Sequence, residues 1–110
     1  MEVKRRVVFM VETRVNPSME EKFNEWDTKI HIPMALMGPG MVSARRYKAV
    51  GGNDDEGKYL VIYELENEAM IKAFEESQER KAAHQKKLDD WGEDGFTVEW
   101  AGYYKLLPKN

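Results

Sequence analysis

The stretch YLVIYEL, residues 59–65, is dense in β-branched and aromatic residues and follows a polar, glycine-rich loop. This composition predicts a β-strand. Apolar side chains stand at successive positions rather than at every second one, so both faces of the strand require burial. The run VVFMV, residues 7–11, has the same character. The two runs are therefore expected to be central strands of a sheet that is covered on both sides.

Three further segments of strand character lie around that stretch. The polar loop of residues 51–57 joins it to residues 41–50, and the two segments are predicted to pair as an antiparallel hairpin. Residues 6–15, which contain the VVFMV run, and residues 96–107 are predicted as the first and the last strand. The chain thus supplies four strands.

Two helical regions separate these strands. The first begins at Ser18, where a serine followed by a glutamate three residues later is typical of a capping box. It is expected to break near His31, because a proline follows two residues later, and a short helical piece over residues 34–37 comes next. The second region covers residues 68–91. A break near residues 77–80 is expected there, because an unbroken helix of about 36 Å would be longer than the strands it crosses.

The order β-α-β-β-α-β indicates an α+β, ferredoxin-like fold, in which both helical regions cover one face of a four-stranded antiparallel sheet. The length of 110 residues suits a single domain over residues 1–110. No element remains to cover the second apolar face, so we expect a second copy of the chain to cover it. Two sheets packed in this way form a dimeric α/β barrel.

Composition excludes several classes of protein. Seventeen Lys and Arg residues against twenty Asp and Glu residues leave a net charge of −3, without the basic excess that nucleic-acid binding requires. The chain has no cysteine, which excludes disulfides and cysteine nucleophiles and suits a reducing cytoplasm. No apolar run approaches the roughly 18–20 residues that span a bilayer. We expect neither nucleic acid nor a membrane as a partner.

Four segments together carry a resemblance to a known family. They are WDTKIHIP at residues 26–33, Pro39-Gly40, SARRY at residues 43–47 and the YLVIYEL strand. In this order they resemble the EthD-like branch of the dimeric α/β-barrel superfamily. The resemblance implies a homodimer, and a superfamily that includes cofactor-free monooxygenases, polyketide cyclases, dehydratases and isomerases. Members commonly have an acidic residue three positions before the histidine, where this chain has Thr28.

His31 is the leading candidate for chemistry, because an imidazole exchanges protons near neutral pH. Asp27, four residues earlier, and Thr28, three residues earlier, can reach the ring from the same helix face and orient it. The alternative is a histidine that caps the end of the helix. No third protein ligand accompanies Asp27 and His31, so we expect no metal. Substrate-binding contacts are expected from six residues: Trp26, Thr28, Met34, Arg45, Tyr47 and Tyr63.

Strand alternation divides the arginines of the second strand. Arg45 and Tyr47 share one face and Arg46 lies on the other. A guanidinium or phenol on a face that points at the helices would stabilise charge on a substrate oxygen, whereas the alternative for the arginines is charge that keeps an edge strand unpaired. One face of the second helical region has a polar middle, formed by Ser77, Lys81 and His84. A continuous helix would direct them at the sheet, where they would line a cavity, whereas the expected break leaves them solvated.

These observations predict a cytoplasmic homodimeric enzyme that acts on an apolar, aromatic or polyketide-like small molecule. The expected chemistry is cofactor-free acid/base catalysis of the lyase, dehydratase, isomerase or cyclase type, with His31 and Asp27 as catalytic residues. One alternative is a cofactor-free monooxygenase that uses the same pocket. Another is a ligand-binding or accessory protein without turnover.

Overall fold

The computed structural model describes residues 7–52, 56–93 and 95–108. Its four strands are β1 (Val7–Arg14), β2 (Met41–Lys48), β3 (Lys58–Leu65) and β4 (Thr97–Lys105). They form one antiparallel sheet in the order β2-β3-β1-β4. Helical segments connect β1 to β2 and β3 to β4. The α+β, ferredoxin-like fold predicted from the sequence is confirmed.

The described strand ends agree with the predicted ones to within two residues. Strand β3 begins one residue earlier than predicted, and β2 ends at Lys48 rather than at residue 50. The predicted start of the first strand at Arg6, and residues 53–55 of the predicted hairpin loop, lie outside the described residues.

The first connection remains helical where a break was predicted. Helix α1 (Glu20–Trp26) passes through a π-helical turn (Asp27–His31) into helix α2 (Ile32–Leu36). In the π turn the Ile32 N–H donates to the carbonyl of Asp27, five residues earlier. This wider turn accommodates Pro33, which has no N–H to donate, without leaving the helix. The prediction of a break near His31 is therefore wrong.

The second connection is divided as predicted. Helix α3 (Met70–Glu75) and helix α4 (Gln78–Trp91) are separated at Glu76 and Ser77. The Ser77 hydroxyl accepts a hydrogen bond of 3.1 Å from the Arg80 N–H, which satisfies one of the unpaired amides at the start of α4.

The core lies between the helices and one face of the sheet. Strand β3 alternates strictly, with Tyr59, Val61, Tyr63 and Leu65 buried on this inner face. Their neighbours on β1 include Phe9, which stacks on Tyr63 with ring centroids 5.9 Å apart. Helical side chains complete two apolar clusters on this face. Residues of both clusters line a cavity between the helices and the sheet, which forms the site described below.

The opposite, outer face of the sheet carries apolar side chains that none of the described helices covers. Tyr104 pairs with Val8 in the β1-β4 register and is exposed, and Trp100 stacks edge-on against it. Leu60 and Ile62 of β3 are half-buried on the same face. Within the described ranges no helix combines the length and the apolar character needed to cross a membrane.

Candidate functional site

A cavity of about 350 Å³ lies between the inner face of the sheet and the helices. Most of its wall is apolar, and ten residues supply that part: Phe9, Val11, Phe23, Ala35, Val61, Phe74, Ala83, Phe96, Val98 and Ala101. The polar or ionisable groups on the wall are Thr13, Asp27, His31, Tyr63, Arg80, His84 and Lys87. An apolar cavity with a few convergent polar groups is typical of a small-molecule site.

The π turn brings His31 and Asp27 together on the cavity wall. The Nδ1 atom of His31 lies 3.3 Å from Oδ1 of Asp27. The Asp27 side chain is 5% exposed, whereas that of His31 is 25% exposed. A carboxylate can only accept hydrogen bonds, so the contact requires the imidazole proton on Nδ1. The Nε2 atom of the neutral ring is then left as an acceptor.

Arg46 of β2 binds the second carboxylate oxygen of Asp27. Its Nε donates to Oδ2 of Asp27 at 3.0 Å, and its two terminal nitrogens donate to Asn24 Oδ1 at 2.8 Å and to Thr28 Oγ1 at 3.2 Å. The guanidinium compensates the buried charge of Asp27 and ties α1 and the π turn to the sheet. His31, Asp27 and Arg46 thus form one hydrogen-bonded chain.

Trp26 packs against the imidazole of His31 and does not line the cavity. Its ring stacks on that of His31 with centroids 4.8 Å apart and planes 14° apart. Its Nε1 donates a 2.7 Å hydrogen bond to Asp90 of α4. The indole is therefore fixed at both ends, and it limits the orientations open to His31.

Tyr63 brings a phenol to the cavity wall close to Asp27. Burial raises the pKa of Tyr63 well above its ordinary range, and the negative charge of Asp27 raises the pKa further. The phenol therefore keeps its proton at neutral pH. The described residues supply no hydrogen-bond partner for this hydroxyl, so it is available to donate to a bound molecule.

Comparison with known proteins shows the family. The family model for a domain of unknown function, DUF4286, matches residues 6–99. The chain belongs to this family. No curated protein sequence matches it significantly.

Solved structures share the fold of this DUF4286 domain at low sequence identity. An EthD family protein of Bacillus halodurans is 14% identical with a TM-score of 0.68, and the alignment covers 92% of this chain and 99% of that one. A monooxygenase of Streptomyces coelicolor in complex with nanaomycin D is 18% identical with a TM-score of 0.61, over 94% and 93% of the chains. The cofactor-independent oxygenase SnoaB of Streptomyces nogalater is 13% identical with a TM-score of 0.59, over 96% and 97%. These structures confirm the ferredoxin-like fold that the resemblance implied.

Two of the predicted substrate contacts, Arg45 and Tyr47, lie on the outer face of β2, away from the cavity. Arg45 is the register partner of Ile62 and Tyr47 that of Leu60, and both point away from the helices. The partners of Ala44 and Arg46 are on the inner face of β3. Arg46 is therefore the arginine that reaches the site, and the prediction of Arg45 and Tyr47 at the cavity is corrected.

The remaining predicted residues are divided between the site and its support. His31, Asp27 and Tyr63 line the cavity. Thr28 is exposed and accepts a hydrogen bond from Arg46, and Met34 is half-buried in α2 outside the cavity wall.

Sequence reasoning missed several wall residues of the DUF4286 domain. His84 is exposed, as expected, and it also lines the cavity, as do Arg80 and Lys87. Their spacing of four and three residues along α4 places them on one helix face, and this periodicity was a usable signal. Among the described residues no group of three or more His, Asp or Glu side chains is placed to hold a metal ion.

Proposed function

We propose that this protein is an enzyme that binds an apolar, aromatic or polyketide-like small molecule in the cavity and performs cofactor-free acid/base chemistry on it. The reaction class is that of a lyase, dehydratase, isomerase or cyclase. One observation carries the proposal. His31 borders an apolar cavity while its Nδ1 is bonded to a buried carboxylate, which is the arrangement of an oriented general base.

The hydrogen bonds suggest how the proton moves. With the proton of the neutral ring on Nδ1, Nε2 removes a proton from an acidic carbon or hydroxyl of the substrate. The Asp27 carboxylate stabilises the imidazolium that forms, and Arg46 keeps that carboxylate in place. The Tyr63 hydroxyl donates to the substrate oxygen on which negative charge develops. Return of the proton from Nε2 to another substrate atom completes an isomerisation or accompanies loss of water.

A proton-exchange assay tests this role without knowledge of the natural substrate. We expect the protein to accelerate hydrogen–deuterium exchange at the carbon next to the carbonyl of 2-tetralone in D₂O, followed by NMR. His31→Ala and His31→Asn should both lose about 10²–10⁴-fold in rate, because neither side chain takes a proton near neutral pH. Both variants should keep the melting temperature, since the ring is partly exposed. Exchange unchanged in both variants would contradict the proposal.

The phenol of Tyr63 offers a second test of the same mechanism. Tyr63→Phe should slow tetralone exchange while costing little stability, because no described residue pairs with the hydroxyl. Binding of tetralone to the native protein without any acceleration of exchange would favour the alternative of a ligand-binding protein without turnover.

A cofactor-free monooxygenase is the second candidate, and the oxygenases among the structural relatives favour it. In this reaction His31 would deprotonate a quinol-type substrate, and the carbanion would reduce O₂. An anthrone CH₂ would become the carbonyl of an anthraquinone, with the second oxygen atom released as water. Oxygen consumption that matches anthrone consumption, and its loss under anaerobic conditions, distinguishes this candidate. Tetralone exchange needs no oxygen.

We propose further that the chain is a single domain, residues 1–110, which works as a homodimer in the cytoplasm. The uncovered outer face of the sheet supports the dimer, because Trp100 and Tyr104 are 38% and 53% exposed beside the apolar residues of β1 and β3. Large exposed apolar surface marks an interaction site. Sedimentation at micromolar concentration should give about twice 12.8 kDa. A stable monomer would contradict this arrangement.

A further inference from the structure

Helix α4 presents a basic face to the cavity. Arg80, His84 and Lys87 all line it, at the spacing of neighbours on one helix surface. Among the described lining residues the single acid is Asp27, and Arg46 compensates its charge. The chain as a whole has a net charge of −3, so the charge of this cavity wall is opposite in sign to that of the whole chain.

Among the described residues, Arg80 has an anionic partner and Lys87 has none. Arg80 Nε lies 3.3 Å from Glu75 Oε2, and Tyr103 also donates to that carboxylate. The Lys87 ammonium instead lies 4.7 Å from the centroid of the Phe96 ring, and within the described ranges no carboxylate pairs with it. Burial lowers the pKa of Lys87, because a low-dielectric environment disfavours an ammonium that lacks a counter-charge. An anion in the cavity would supply that charge.

Thr13 adds a second polar group that lacks a partner. Thr13 is 5% exposed, and its buried Oγ1 has no hydrogen bond with any described residue. Buried hydroxyls nearly always have a partner. The register shift between Glu12 and Thr13 makes Val98 the partner of Thr13 on β4, two residues after Phe96. Thr13 and Lys87 both line the cavity, Thr13 beside Val98 and Lys87 beside Phe96.

We infer that the ligand of this cavity is an organic carboxylate on an apolar, aromatic or polyketide-like body, with its charged oxygens bound by Lys87 Nζ and Thr13 Oγ1. The inference rests on the proposed function and names the substrate class of that site. The apolar wall takes the body of the ligand, and Lys87 is the residue that selects acids over neutral analogues.

Paired ligands of equal shape and different charge test the inference. Binding of 2-naphthoate and of its neutral amide, 2-naphthamide, is measured near neutral pH by NMR titration, with methyl signals of Val61, Ala83 and Ala101 reporting on the cavity wall. We expect the acid to bind about tenfold to a hundredfold more tightly than the amide, which is the range of a hydrogen bond to a charged group. This comparison uses the native protein and does not depend on the folding of any variant.

Variants then assign the effect to Lys87. Lys87→Met should abolish the preference for the acid and leave amide binding within about twofold, whereas Lys87→Arg should keep most of the preference because it keeps the charge. Thr13→Val, which is close in shape, should weaken acid binding by a few-fold. Lys81→Met is the matched control, since Lys81 is an exposed lysine on the same helix outside the cavity wall, and it should change neither affinity.

The possible outcomes separate this inference from the proposed function. Equal affinities for acid and amide, or an acid preference that survives in Lys87→Met, would overturn the inference and leave tetralone exchange at His31 standing. If neither ligand shifts the cavity methyl signals, the cavity does not bind apolar molecules, and both proposals fail. The His31→Asn variant should still prefer the acid, because it lacks the base and retains the Lys87 ammonium.

Discussion

Replacement of Arg46 by methionine should destabilise the protein strongly, because it leaves the buried Asp27 carboxylate without its strongest partner. Three hydrogen bonds of 2.8, 3.0 and 3.2 Å are lost at once. The Asp27 side chain is only 5% exposed, so water cannot replace the guanidinium. Methionine keeps the length and the apolar stem of the arginine and removes its charge.

The size of the effect follows from burial. Removing one partner of a buried ion pair costs about 3–5 kcal/mol. Arg46 is itself 20% exposed, so the lower end of that range, about 3 kcal/mol, is expected. With an unfolding entropy of about 2.1 cal/mol/K per residue over 110 residues, the melting temperature should fall by about 13 °C.

The assay is urea and thermal unfolding followed by circular dichroism at one fixed protomer concentration. Arg45→Met is the matched control on the same strand. Arg45 is exposed and faces away from the helices, so this substitution should change the free energy of unfolding by no more than about 0.5 kcal/mol.

A double-mutant cycle with Asp27→Asn separates the ion pair from general damage to the site. The double variant should be more stable than the sum of the two single losses predicts, by at least about 1 kcal/mol, because it contains no uncompensated buried charge. Additive losses, or an Arg46→Met variant as stable as Arg45→Met, would refute the role assigned to Arg46.

Two further predictions concern other parts of the fold. The hydrogen bond from Trp26 holds the pKa of Asp90 below its ordinary value of 3.8, so Asp90→Asn should lower stability near neutral pH. The difference in the free energy of unfolding between this variant and the native protein should narrow as the pH falls from about 5 to about 2, because a carboxyl group with a lowered pKa stabilises the fold only while it is ionised. A difference that stays constant in urea titrations across this range would contradict the assignment. Gly57 has a φ of +68°, and a Cβ there would collide with the carbonyl oxygen of Val15, so Gly57→Ala should cost at least about 2 kcal/mol. Gly51 has a φ of +78° but lies in open space, so Gly51→Ala should cost only about 1 kcal/mol. Equal losses of unfolding free energy in the two variants, measured by urea unfolding, would show that the collision at Gly57 has no effect.

Local chemistry was sufficient to predict the four strands and the division of the second helical region. The apolar runs at residues 7–11 and 59–65 indicated central strands because β-branched and aromatic residues fit a pleated sheet, and both runs lie in strands. The excessive length of the second helical region indicated a division, which the structure has at Glu76 and Ser77. The chemistry of His31 also made it the leading candidate at the level of sequence, and the structure places it on the cavity wall.

The composition of the site depended on contacts between segments that are distant in the chain. Alternation along β2 separates Arg45 from Arg46, but only the register of β2 against β3 decides which of them reaches Asp27. The register shift at Thr13 and the packing of α4, which puts Lys87 on the cavity wall, are tertiary in the same sense. Residue type and spacing along one segment determine its secondary structure and its two possible faces. The choice between those faces is made by whichever neighbour the segment packs against, and that information resides in the whole chain.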